Sequence, residues 1–192
     1  MESKELNLLK FSKDLKRLAF LSYNIKRLRK GEKLFVVFPE GFGEKLKRWC
    51  LETGNKLLEL ERNRAIVERG GGFHGVRLGE KLGFYTDGVK LHAVEFLLRL
   101  RGKYPPYLVN FVSLNEGRRA VLLLKTLGVR CKLLPAPKEF EGYCGYALGF
   151  YDEKEALGVF EELYKNAIGV ESIYKKIPNG FERLISLWEL ED

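Results

Sequence analysis

The segment Gly70 to Gly75 reads GGGFHG, and it sets the strongest limit on what this chain can fold into. Glycines this dense lose too much backbone freedom to sit inside a helix or strand, so one folding unit must end before them. A second boundary stands at Lys103-Tyr104-Pro105-Pro106, because consecutive prolines cannot continue a helix. Between the two, VRLGEKLGFYTDG reads as a loose hairpin or extended linker. Val89 to Arg101 then has helical spacing, with Leu91, Val94, Leu98 and Arg101 on one side. The expected organisation is a unit over residues 1–70, a linker with one helix over 71–106, and a unit over 107–192. The fold class is α+β, built from two small α/β-sandwich units.

The first unit reads β-α-β-α-β-β. Residues 6–11 are a short apolar run, and Ser12 can cap a helix. Leu15, Leu18, Leu21, Ile25 and Leu28 recur at helical spacing until Gly31 supplies a left-handed turn. KLFVVF is a buried-strand pattern, and a helix from about Glu44 to Thr53 stops at Gly54-Asn55. KLLELE and RAIVER are two strands joined at Arg62-Asn63.

The second unit opens with the strand YLVNFVSL and a helix from Asn115 to Leu127, whose Ala120, Val121, Leu124 and Leu127 face inward and which Gly128 ends. VRCKLLP alternates Val129, Cys131 and Leu133 against Arg130, Lys132 and Leu134. A turn-rich loop, APKEFEGYCG, leads to the strand YALGFY, and Asp152 caps a helix running to about Ala167. Phe181, Leu184, Ile185 and Trp188 read as the apolar stripe of a terminal helix.

Charge narrows the partners. Lys and Arg total 34 against 26 acids, a net +8. Much of the excess sits in Lys13, Lys16, Arg17, Lys26, Arg27, Arg29 and Lys30, with Asp14 the one acid among them. Such a basic helix can meet RNA, acidic proteins or anionic lipid, or simply be a solvated face. No apolar run approaches the roughly 20 residues of a bilayer span, so no membrane segment is expected. The charged N-terminus carries no signal-peptide core, which gives a cytoplasmic expectation. Glutamine is absent and Met occurs once, a bias typical of proteins built for high temperature.

Three cysteines, far apart and without CxxC or Cys/His spacing, argue against zinc and for reduced free thiols. His74 and His92 have no matching carboxylate motif, and the Gly70 run lacks the phosphate-loop pattern. Cys50 beside Trp49 and Cys131 on its strand are expected to be buried. Cys144 differs, because Gly142-Tyr143-Cys144-Gly145 lets backbone approach a ligand closely. Backbone N–H groups of Gly142 and Gly145, with Lys138 upstream, favour a thiolate there.

The stretch from Leu114 to Phe150 resembles the selenium/sulfur carrier family. Pro135-Ala136-Pro137-Lys138 matches its P-x-P-R segment with lysine for arginine, and Cys144-Gly145 matches the C-G that follows. The resemblance implies that Cys144 carries sulfur or selenium as a sulfurtransferase-like persulfide carrier. It implies sulfur-donor and sulfur-acceptor proteins as partners and requires no metal or organic cofactor. The first 70 residues resemble the TusA (SirA-like) sulfur-carrier domain in element order. Where that family has C-P-x-P, this chain has Ser12-Lys13-Asp14-Leu15, so no residue there inherits a carrier role. The same element order also resembles the C-terminal domain of translation initiation factor three. The competing readings are therefore an RNA-binding protein using the basic first helix, and a non-catalytic assembly protein forming a homodimer through the terminal helix.

Overall fold

The computed structural model describes residues 4–70, 93, 97–98, 104–137, 140 and 146–190. The chain is α+β, with two separate sheets and four α-helices among the described residues. The first sheet holds β1 (Lys4–Asn7), β2 (Lys33–Val37), β3 (Lys56–Leu60) and β4 (Arg64–Glu68) in the order β1-β2-β4-β3. β1 and β2 are parallel, and the other pairs are antiparallel. Helices α1 (Asp14–Lys26) and α2 (Gly43–Thr53) intervene, so the β-α-β-α-β-β reading holds. Strands β5 (Tyr107–Phe111), β6 (Lys132–Pro135), β7 (Tyr146–Phe150), β8 (Val170–Ile177) and β9 (Gly180–Ser186) form the second sheet. Their order is β6-β7-β5-β8-β9, all antiparallel, with α3 (Leu114–Thr126) and α4 (Glu153–Lys165) packed on one face. Ala93, Leu97 and Leu98 are helical; the rest of the expected hairpin and helix between the two sheets lies outside the described residues.

Local chemistry places most boundaries. Asp152 accepts from the Glu155 N–H at the start of α4, and Ser113 does the same for Glu116 at α3. Gly54 and Gly128 take the left-handed conformation that ends α2 and α3. Ser12 is not a cap: α1 begins after Lys13, whose side chain makes no capping bond. That helix also stops early, at Lys26, where the Arg69 guanidinium donates to the carbonyls of Lys26 and Leu28. Ala120 and Leu124 face inward from α3 as expected, joined by Leu114 and Gly117, and Val121 packs partly buried on the same core; Leu127, just past the helix, is exposed.

Two strands overturn the expected pattern. The expected terminal helix is absent: Phe181, Leu184 and Ile185 belong to β9, and Trp188 to a single 3-10 turn, Leu187–Glu189. Pro178-Asn179 forms a two-residue connection, with Ile177 paired to Gly180. A bulge between Ile173 and Tyr174 leaves Leu184 as the extra residue on β9. That insertion turns a period of two into apparent helical spacing. In β6 the inward face was expected to hold Leu133, yet Leu133 is exposed and Leu134 buried. The second sheet is covered on both faces, with α3 and α4 on one and Tyr104, Ala136 and Phe140 on the other.

Helix α1 ties the two sheets together. Leu18, Leu21 and Ile25 pack on the first sheet's core, while Leu15 and Ala19 pack on the core beneath β8. A helix buried along two stripes lies between layers. Lys26 continues the second stripe and forms an ion pair with Glu171, whose side chain is fully buried. Asn110 Nδ2 donates to the same carboxylate at 3.4 Å. Trp188 contacts both cores and packs edge-on against Phe20. At a second junction, Trp49 Nε1 donates to the Val112 carbonyl at 3.2 Å.

Removing one member of a buried ion pair leaves an uncompensated charge, at a cost of about 3–5 kcal/mol. Glu171→Gln or Lys26→Met alone should therefore strongly lower the urea midpoint. The double variant Lys26→Met/Glu171→Gln should recover most of the loss. Equal and additive losses in that cycle would mean that the two side chains act independently.

Candidate functional site

Lys138, Gly142, Cys144 and Gly145 lie outside the described residues. The described structure gives the frame that the connecting residues 136–145 leave and rejoin. β6 ends at Pro135, which pairs in register with Tyr146, the first residue of β7. The connection thus joins two adjacent antiparallel strands, with β6 on the sheet's edge.

Its first half is clamped. Pro135, Ala136 and Pro137 are all buried, and Tyr104 donates its hydroxyl to the Pro135 carbonyl at 3.1 Å. Phe140 turns back, its N–H bonded to the Pro137 carbonyl at 3.0 Å. The Phe140 ring stacks on Tyr174 with centroids 4.0 Å apart and meets Phe181 edge-on at 5.4 Å. Tyr104 completes the group with an edge-on contact to Phe181 at 5.8 Å. Pro135, the last residue of the edge strand β6, has no N–H to leave unpaired, and an edge is where a strand tolerates proline. Close packing continues along β7, where a Cβ on Gly149 would lie 2.6 Å from Pro105 Cγ and 2.7 Å from Leu134 Cδ1.

Polar groups lie behind this frame. Ala147 pairs with Asn110, Asn110 with Ser172, and Ser172 with Ser186, a single row across the sheet. All four are fully buried, and the two serine hydroxyls bond to each other at 3.0 Å. Glu171, beside Ser172, connects the row to Lys26 of α1. At the same end of the sheet, α3 starts from Ser113, and Glu116 accepts from the Gly169 N–H at 2.7 Å. A Cβ at Gly169 would meet Val112 Cγ2 at 2.5 Å, so that close approach requires glycine.

The sequence did not point to Asn110, Glu171 or the Tyr104–Phe140–Tyr174–Phe181 group. Phe140 sits in a stretch whose sequence reads as a turn-rich loop, and no element is expected over β8, which carries Glu171 and Tyr174. The Asn179-Gly180 pair was the available signal, because it marks a tight hairpin whose arms are β8 and β9.

The thiolate is disfavoured at the other two cysteines. Cys50 is buried in α2, and burial pushes its thiol up to about 12. Cys131 was expected to be buried and is only half-buried, because it precedes β6 at the sheet's margin. Burial raises its pKa too, with the charge of Glu155 adding to the effect. Among the described residues, no group of three His, Cys, Asp or Glu side chains could hold a metal ion. His74 and His92 lie outside the described residues.

The basic segment does not form the open face expected of it. Lys16 is buried and donates to the Leu190 carbonyl, while Arg17 donates to Asp14 and the Phe11 carbonyl. Lys26 is held by Glu171. Every cation within α1 is thus turned to internal use. Lys13, Arg27, Arg29 and Lys30 remain exposed, with Lys13 over the Tyr164 ring and Arg27 over Tyr23. No helix among the described residues is long and apolar enough to cross a membrane.

Residues 106–175 match the family described as "Putative Se/S carrier protein-like". That segment runs from just before β5 into β8 and includes the Pro135–Pro137 clamp and Cys144. The chain is also 31% identical over 171 residues to a protein of Aquifex aeolicus (strain VF5) named "Putative sulfur carrier protein". This alignment covers 85% of this chain and 87% of that one, so it takes in residues of the first sheet as well as the second. No solved structure matches the chain. With so much of both sequences aligned at that identity, the chain belongs to the Se/S carrier protein-like family.

Proposed function

We propose that this protein is a sulfur or selenium carrier that transfers sulfane sulfur through a persulfide on Cys144. The observation that carries the reading is the partition of its three thiols. Cys50 lies outside the family segment and is sealed in a core. Cys131 lies within it, but burial and Glu155 both disfavour its thiolate. Cys144 is the remaining thiol of the segment, and it follows the clamped P-x-P stretch that the family resemblance singles out.

In the proposed reaction the Cys144 thiolate attacks the outer sulfur of a donor's persulfide. A new S–S bond forms on Cys144, and the donor's S–S bond breaks, releasing the donor cysteine as a thiolate. The outer sulfur keeps its proton, so Cys144 gains one sulfur atom and no external oxidant is consumed. An acceptor nucleophile repeats the exchange and returns Cys144 to its thiolate. Lys138 contributes positive charge and the Gly142 and Gly145 backbone contributes N–H donors, both favouring the thiolate. Sulfur-donor and sulfur-acceptor proteins are the implied partners. The β-α-β-α-β-β unit, TusA-like but without the C-P-x-P cysteine, serves as a brace for the carrier unit.

Two outcomes follow. Incubation with a persulfide donor should add about 32 Da, one sulfur atom, to the intact chain. Cys144→Ser should abolish that adduct, while Cys50→Ser and Cys131→Ser should retain it. An adduct that persists in Cys144→Ser would reject the assignment. Alkylation of the native protein at pH 8 should likewise modify Cys144 first, Cys131 slowly and Cys50 last. With its thiol at about 12, Cys50 holds only about one part in ten thousand as thiolate at that pH. Lys138→Ala should slow the Cys144 reaction by less than about fivefold, the weight of one surface charge. A faster reaction at Cys50 than at Cys144 would overturn this ordering.

A further inference from the structure

The first sheet packs α1 and α2 on one face, and among the described residues none covers the other. Alternation along the strands turns Leu34, Val36, Ala65 and Val67 inward and Phe35, Val37, Arg64 and Ile66 outward. The pairing aligns Glu5, Phe35, Ile66 and Glu59 in one row across all four strands. In the row two residues along, Asn7, Val37 and Arg64 align, with Glu61 bonded through its N–H to the Arg64 carbonyl. An apolar floor of Phe35, Val37 and Ile66 thus runs between Glu5 on one edge strand and Glu59 and Glu61 at the other. These residues line a cleft of about 310 Å³, and Phe35 is 37% exposed.

Two features indicate what fits there. Three steps of about 4.8 Å separate the edge strands, so the acidic rails stand about 14 Å apart. An α-helix with its side chains is about 10–12 Å across and would lie between them. Charge supplies the second. Glu40 and Glu68 are paired with Arg62 and Lys56, whereas Glu5, Glu59 and Glu61 have no ion pair among the described residues. Among the described residues, Arg64 is the one cation lining the cleft. On a chain of net +8, this acidic trough selects for a cationic partner.

We infer that the open face of the first sheet docks an amphipathic helix of a partner protein. The helix presents an apolar stripe to Phe35, Val37 and Ile66, and its flanking Lys or Arg side chains reach Glu5 on one side and Glu59 and Glu61 on the other. The partner is thereby held on the face away from α1, leaving the second sheet unencumbered. This docking does not depend on the sulfur chemistry.

The test uses the full chain, isotope-labelled for NMR, and a synthetic amphipathic Lys/Leu helix of about four turns, with a Glu/Leu helix of the same pattern as control. Saturable shifts should centre on Phe35, Val37, Ile66 and Glu59 for the cationic peptide only. Glu59→Lys/Glu61→Lys should weaken binding by about fivefold or more, two surface charge pairs at about 0.5 kcal/mol each. Phe35→Ser should weaken it too. Glu59→Gln/Glu61→Gln, which adds no like charge, provides a milder variant with the same direction of effect. Equal binding of the Glu/Leu helix, shifts centred elsewhere, or unchanged affinity in the charge variants would overturn the proposal. So would light scattering that shows, without peptide, a dimer dissolved by Glu59→Lys, since the occupant would then be a second copy. Binding to phosphatidylglycerol vesicles with shifts at Phe35 would overturn it as well, in favour of a lipid surface.

Discussion

The Lys26–Glu171 ion pair is the constraint on which the arrangement of this molecule depends. Glu171 is fully buried in the second sheet, and Lys26 is the last residue of a helix that belongs by sequence to the first. A carboxylate cannot stay charged in such a place without a partner held close. The pair therefore fixes how α1 lies across β8 and how the two sheets face each other. Other contacts follow from that placement: Ala19 enters the second core, Lys16 reaches the Leu190 carbonyl, and Trp188 closes over Phe20. Such pairs contribute little net stability compared with apolar residues of the same volume. A packing that separated the two would leave the Glu171 carboxylate buried without its cation.

The same packing decides what the basic charge is for. A concentration of Lys and Arg around one helix reads, in sequence, as a surface for RNA or acidic proteins. In the folded chain the cations of α1 are internal fastenings, and the acidic trough lies on the far side of the first sheet. Net charge is a sum over the whole chain. It does not report which face a charge occupies.

Sequence patterning succeeded where one periodicity and one burial face held throughout an element. β2 and β4 alternate cleanly, and α2 ends at a glycine that must be left-handed, so the first unit could be read strand by strand. It failed where both faces were covered or where a bulge shifted the phase. Leu133 and Leu134 are adjacent and both apolar, so alternation alone does not assign the inward face of β6, which belongs to Leu134. In β9 the bulge at Leu184 spaced Phe181, Ile185 and Trp188 as if on a helix. For α1, five leucine and isoleucine positions were read as one stripe, when Leu15 belongs to the second core and the others to the first or its margin. The candidate site was legible only as a motif. Its prolines and cysteine stand in the linear order, whereas Tyr104, ahead of β5, and Tyr174 and Phe181, on β8 and β9, reach the Pro135–Phe140 clamp from distant parts of the chain.

For a protein that carries sulfane sulfur, the placement of its other thiols matters as much as the carrier thiol. A persulfide yields its outer sulfur to any accessible thiolate, and its inner sulfur to any thiolate that can form a disulfide. A second reactive cysteine in the same chain would therefore drain the cargo or cross-link the site. Burial answers this at Cys50, where few thiolates form and no donor can approach. At Cys131 burial is incomplete, and the negative charge of Glu155 adds to the suppression. On the proposed persulfide reading, raising two thiols would reserve the exchange for the third without requiring that Cys144 be activated strongly. Selectivity would then come from the contrast between the sites.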